Sequence, residues 1–140
     1  TNIGVHFYDM LSFIFGKIKK NVVHLHLHDR AAGYLEFEQA RVRWFLSINY
    51  DMLPIEIKSK RQMTYRSITV NNEKIEFSDG FTDLHTRVYE GILDGNGYGL
   101  SDARQAIEIV HDIRNSKPIG MKGDYHPMVL ESKTIHPFEL

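Results

Sequence analysis

Several places in the sequence bring together side chains whose types and spacing suit chemistry. The first is the opening segment, Asn2-Ile3-Gly4-Val5-His6-Phe7-Tyr8-Asp9. On the first turn of a helix His6 and Asp9 face the same side, and Asn2 can reach the same point from just before the turn. A His near a helix N-terminus tends to be neutral at pH 7 and can accept a proton, while an amide can orient a hydroxyl. A plainer reading makes Asn2 the helix cap and His6 a solvated surface group. The second place is His24-x-His26-x-His28. Alternation would put the three imidazoles on one strand face, but neighbours there lie about 6.5 to 7 Å apart. Three ligands of one zinc need nitrogens about 2.0 Å from the ion, so a solvated or interface face fits better and no metal site is expected. The third is a set of polar residues further on. Arg41 and Arg43 share a face and could take a diphosphate or carboxylate, or pair across the sheet with Glu36 or Glu38. Ser47, Asn49, Tyr50 and Asp51 stand at a strand end, where polar groups line a cleft or simply leave for a loop. Asp83 and His85 begin a helix, with His85 a candidate substrate contact.

The elements that must carry these residues follow from periodicity. Residues 5 to 18 are apolar on almost every side, which predicts a helix buried between layers, followed by Lys17, Lys19 and Lys20 at its C-terminal end. The period then changes to two. Val23, Leu25 and Leu27 alternate with the three histidines, Leu35 and Phe37 with Tyr34, Glu36 and Glu38, and Val42, Trp44, Leu46 and Ile48 with Arg41, Arg43, Phe45, Ser47 and Asn49. These are half-buried antiparallel strands. A hairpin joins 66–70 to 74–77 through Asn71-Asn72, residues that tolerate positive φ. A helix with the stripe Phe81, Leu84, Val88 and Ile92 stops at Asp94-Gly95-Asn96-Gly97. A second, capped by Ser101, has the stripe Ala103, Ala106, Ile107, Val110 and Ile113 and ends by Pro118 and Gly120. The expected class is α+β, a predominantly antiparallel open sheet with helices on one face. Residues 1–140 then form a single domain with an irregular tail over 128–140.

Composition bounds the function. The chain has 140 residues, 42% hydrophobic and 25% charged, with a net charge of -1 and no Cys. That excludes thiolate metal sites and cysteine nucleophiles, and fits a reducing, cytoplasmic setting. The charge balance gives no general pull toward nucleic acid or an anionic membrane, and no apolar run approaches the roughly 20 residues of a bilayer span. No G-x-G-x-x-G occurs. Gly95-Asn96-Gly97 and Gly97-Tyr98-Gly99 follow a helix, whereas a dinucleotide loop follows a strand.

The opening segment resembles the G-x-H-x-x-D motif that begins the second domain of the Gfo/Idh/MocA oxidoreductases. Many members have Asp four residues before the motif's His, where this chain has Asn2; an amide cannot take a proton, so His6 is the candidate base of the segment. Three later blocks, 32–36, 40–51 and 80–86, are similar to one subgroup, the UDP-N-acetyl-2-amino-2-deoxy-glucuronate 3-dehydrogenases of lipopolysaccharide O-antigen biosynthesis. The similarity runs from Asn2 to about Pro127. It implies the C-terminal, substrate-binding and oligomerising domain of an enzyme that oxidises a UDP-sugar C3 hydroxyl with NAD. NAD would be bound mainly by an N-terminal Rossmann domain that these residues lack. The catalytic residues would be His6 with Asn2, and the substrate contacts Arg43, Ser47, Asn49, Asp51 and His85. The enzyme would be a homo-oligomer, joined through the sheet face bearing His24, His26, His28, Tyr34 and Phe45. The rival reading is a non-catalytic sheet domain for assembly or sugar binding.

Overall fold

A computed structural model of the chain describes residues 4–78 and 83–131. They form two compact units, one of Thr1–Ile48 with Gly99–Leu140, the other Asn49–Tyr98. The first unit is built on helix α1 (Gly4–Phe15) and three antiparallel strands, β1 (Ile18–His26), β2 (Arg30–Phe37) and β3 (Arg41–Ser47), in the order β1-β2-β3. In the second unit lie the short helix α2 (Ile55–Ser59), the hairpin β4 (Ser67–Val70) and β5 (Glu73–Glu76), and helix α3 (Leu84–Leu93). Helix α4 (Leu100–Asn115) and the single turn α5 (Met128–Glu131) return to the first unit. The antiparallel sheets and accompanying helices match the expected class, although the five strands divide into a sheet of three and a hairpin.

Helix α1 buries Gly4, Tyr8 and Leu11, with Phe15 also packed on the core. That is the i, i+4, i+7 stripe of an amphipathic helix. It is not buried all round as expected, since Phe13 is 86% exposed. Nor does it reach Lys17. Gly16, at φ +85°, closes it and donates its N–H to Ser12 O (3.0 Å), and β1 begins two residues later. On α4 the buried residues are Ala106, Ile109 and Ile113, while Ala103 and Ile107 of the expected stripe are exposed. Its first turn is capped not by Ser101 but by Asp102, whose carboxylate accepts the Gly99 N–H at 2.6 Å. One α4 side chain closes the joint between α1 and β1. Gln105 Oε1 accepts from Ile18 N–H (3.2 Å) while its Nε2 donates to Gly16 O (3.1 Å).

The core joins Tyr8 and Leu11 of α1, Val23, Leu35, Phe37 and Trp44 of the sheet, and Ile109 and Ile113 of α4. The predicted strand alternation holds through β2 and β3, and fails at the strand ends and at Leu25 within β1, which faces away from the core that Val23 joins. Leu27 and Ile48 are exposed, because β1 stops at His26 and β3 at Ser47. Within β1 the register shifts between Val23 and Leu25. The bulge breaks the alternation at His24, so the three histidines do not share one straight face: His24 is buried, His26 is exposed, and His28 lies beyond the strand in the turn. In the hairpin, Asn71 and Asn72 take φ of 49° and 70°, the left-handed pair that such a turn needs. Helix α3 carries its Leu84, Val88 and Ile92 stripe exposed. Phe81 and the cap at Asn2 lie outside the described residues.

Gly33 is the tightest point of the sheet. A Cβ there would overlap the Val22 carbonyl and lie 2.6 Å from Trp44 Cζ2. Gly33→Ala is expected to lower the unfolding free energy by about 1–3 kcal/mol, the usual cost of overpacking. Denaturant titration checks this, with Gly91→Ala, whose Cβ meets nothing nearer than 3.8 Å, as the control that loses nothing.

Candidate functional site

His6 sits on the first turn of α1, and both it and Asp9 are exposed. Gly4 is buried two residues earlier, and its side-chain position points at Leu46 Cδ1 and the Tyr8 ring. The start of α1 is therefore seated over the far end of β3. Ser47 ends that strand with its hydroxyl donating to Asp29 O at 3.4 Å. The first turn of α1, whose His6 is exposed, thus begins over the edge of the sheet from which Ser47 leaves. Asp29 and Arg30, in the turn leading to that edge, form a buried ion pair (Nε to Oδ1 3.1 Å) with side chains 3% and 1% exposed. Sequence reasoning missed it. An Asp-Arg pair after a strand reads as an ordinary turn, and only burial gives it weight, since breaking such a pair strands a charge.

Arg43 is not brought to this edge. It precedes Trp44, whose indole faces α1, so its own side chain leaves the opposite face of the sheet. There Arg43 Nη1 lies 3.7 Å from Asp124 Oδ1, and Arg41 stands opposite Glu36. Asn49, Asp51 and His85 belong to the second unit. The Asn49 side chain accepts the Asp51 N–H at 2.8 Å, and the Asp51 carbonyl accepts from Lys58 Nζ at 2.8 Å. His85 is exposed on the first turn of α3.

The face of the sheet expected to be open is partly covered. The segment after α4 crosses it, with Ile119 N–H donating to Val23 O at 2.9 Å. Its residues Ile119, Lys122, Gly123 and Asp124 wall a cleft of about 340 Å³ together with Lys20, Val22, His24 and Tyr34. His24 Nε2 donates to Lys122 O at 3.0 Å, which places the ring proton on Nε2. The Tyr125 ring stands edge-on to His24 at 6.2 Å, and His126 lies 5.9 Å from Phe45. The expected irregular tail begins instead with α5, whose Val129 is buried. Among the described residues no group of three or more His, Cys, Asp or Glu is placed to hold a metal ion, and no helix is long and apolar enough to cross a membrane. The described residues also lack a cradle for a dinucleotide's phosphates. The glycine-rich 95–99 stretch joins α3 to α4, helix to helix, and no strand delivers it.

The first unit is thus an antiparallel sheet with α1 and α4 on one face and a solvent-facing His on the first turn of α1. The chain belongs to the Gfo/Idh/MocA oxidoreductase family, whose C-terminal alpha/beta domain matches residues 1–54. It is 45% identical, with a TM-score of 0.86, to the WlbA (WbpB) dehydrogenase from Thermus thermophilus in complex with NAD and alpha-ketoglutarate. That match covers 91% of this chain and 42% of the other. The same dehydrogenase in complex with NAD and UDP-GlcNAcA gives 43% identity and a TM-score of 0.85, covering 91% and 41%. The chain therefore spans less than half the length of these structures.

His126 supplies a measurable signature of the covering segment. Burial, and then the Arg43 guanidinium, lower its pKa below the usual imidazole value, against an opposing pull from Glu131. The unfolded chain then takes up the proton first, so stability is complete above about pH 6.5 and falls as the pH drops through that value. His126→Gln is expected to flatten the slope of Tm against pH between 7 and 5. Thermal melts at four or five pH values decide it, and equal slopes in both proteins contradict it.

Proposed function

We propose that this chain is the substrate-binding and oligomerising domain of an NAD-dependent, cytoplasmic dehydrogenase. The reaction is oxidation of the C3 hydroxyl of a UDP-N-acetyl-amino-glucuronate, in lipopolysaccharide O-antigen sugar biosynthesis. The observation that carries this reading is the 43% identity, over 91% of the chain, to a dehydrogenase solved with NAD and UDP-GlcNAcA. His6, exposed on the first turn of α1, is the base that takes the hydroxyl proton. Asn2 orients the hydroxyl, and Ser47 lies at the same sheet edge. Asn49, Asp51 and His85 are contacts that the second unit offers to the nucleotide-sugar. Arg43 is the weakest member of the set, because its guanidinium leaves the opposite face.

NAD, when bound, accepts the hydride, and a separate nucleotide-binding domain holds it. This chain's part is to present the sugar, remove the proton and exclude water. Self-association uses the sheet face that carries His24, Tyr34, Arg41, Arg43 and Phe45, with the 117–126 segment inside the interface. Aromatic residues and Arg are enriched at such surfaces.

In the complete enzyme carrying this domain, His6→Ala is expected to lower kcat by about 100-fold or more, the usual worth of a general base, with little change in KM. Steady-state kinetics at saturating NAD measure this; turnover within a few-fold of the parent removes His6 from the mechanism. Calorimetry on the 140 residues alone is expected to show no micromolar NAD binding, since the phosphate cradle is not among the described residues.

A further inference from the structure

The first turn of α1 is held at one height above the sheet by a four-layer stack. Its lowest layer is the Gly33 backbone, across which the Trp44 indole lies so closely that a Cβ would stand 2.6 Å from Cζ2. Tyr8 meets that indole edge-on, with centroids 5.6 Å apart and planes at 74°. Above Tyr8 comes Gly4, where a Cβ would lie 3.0 Å from Tyr8 Cε2 and 2.7 Å from Leu46 Cδ1. Neither glycine has a positive φ, so neither is required by its backbone conformation. Each is required by the space it leaves. Within the stack, Tyr8 Oη and Trp44 Nε1 are buried and have no hydrogen-bond partner among the described residues. No polar bond sets the depth of the rings, so steric contact sets it.

His6 follows Gly4 by two residues, about 200° round the helix, and so projects from the side turned away from the sheet. Its height is that of the seat plus the helix itself. We propose that Gly4 is a positioning residue for His6: by lacking a side chain it lets α1 settle onto Tyr8 and Leu46, and this places the imidazole at the height at which it meets the substrate hydroxyl. The inference rests on His6 being the base. An added methyl group must be absorbed by Leu46, by the Tyr8 ring or by the helix. The ring is pinned from below by Trp44 on Gly33, which leaves Leu46 rotation or a lift of the first turn. A misplacement of about 1 Å can cost about 100-fold in rate.

The test uses the complete enzyme and the 140-residue chain together. Gly4→Ala is expected to lower kcat by about 10- to 100-fold while KM for NAD stays constant. In the chain, the His6 ring signal in a proton–carbon NMR spectrum is expected to shift. Adding Leu46→Ala to Gly4→Ala frees the blocked space and is expected to restore most of kcat, whereas Leu46→Ala alone, which only loosens packing, is expected to lower Tm more than kcat. Gly91→Ala, in open space, controls for the generic effect of the substitution. A Gly4→Ala enzyme within two-fold of the parent in kcat overturns the proposal. So does a double variant that stays as slow as the single one. His6→Ala with full activity sinks the assignment of the base instead, and the NMR shift then still reports whether Gly4 sets the ring's position.

Discussion

The first unit depends on the Trp44 indole lying against bare backbone at Gly33. A large flat side chain can enter the middle of a three-stranded sheet's inner face only where a neighbouring strand yields volume, and Gly33, paired with Trp44 across β2 and β3, yields it. Once the indole is down, Tyr8 can lie edge-on above it, and α1 approaches the sheet as closely as Gly4 permits. Burial pushes the Tyr8 phenol well above its usual pKa, so it stays neutral and serves as shape rather than as an acid. Two unpartnered polar atoms within the stack are a cost to stability. The apolar burial of both rings outweighs it, since each aromatic side chain removes about 150–250 Å² from water.

Helix α4 completes the layer by a different means. Its Ile109 and Ile113 add apolar area beside Leu35 and Phe37, but its orientation is pinned by amides. Gln105 satisfies the N–H and C=O groups exposed where α1 ends and β1 begins, and Asn21 Nδ2 donates to Ile109 O at 3.2 Å. Backbone groups at such a joint have no partner within the helix or the ladder, and leaving them dry would cost about 1–3 kcal/mol apiece. Two amide side chains therefore do for direction what the hydrophobic stripe does for attraction.

The parts of the fold that could be read from sequence are those governed by a local period. The centres of β2 and β3 follow from alternation, the Asn71-Asn72 hairpin from residues that tolerate positive φ, α4 from a 3.6-residue stripe and α1 from a long apolar run. What could not be read is non-local. The β1 bulge turns on the pairing of Val23 and Leu25 with Gly33 and Ala32, so nothing in His24-x-His26-x-His28 announces that one imidazole is buried and the others are not. The 116–127 segment has no periodicity, and it is held by a backbone bond to Val23, a carbonyl on His24 and rings on His24 and Phe45. The candidate base was legible because its motif is local. Its seat was not, because a glycine chosen for closeness looks in sequence like any other.

Consecutive residues of a strand leave opposite faces, and this separates two groups that adjacency in sequence would join. Trp44 faces α1 and meets the Tyr8 ring, whereas Arg43 faces Asp124 and the covering segment. The sheet thus divides the first unit's chemistry from its surface. The face under α1 is apolar, closely packed and set by steric contact. The other carries lysines, arginines, acids and the half-buried His126, with an Arg43–Asp124 pair that is long and solvated and an imidazole whose pKa is lowered. The edge of the sheet where β3 ends is held differently from either face. Ser47 and the buried Asp29–Arg30 turn, with Ile48 N–H donating to Asp29 O at 2.8 Å, give that edge its rigidity.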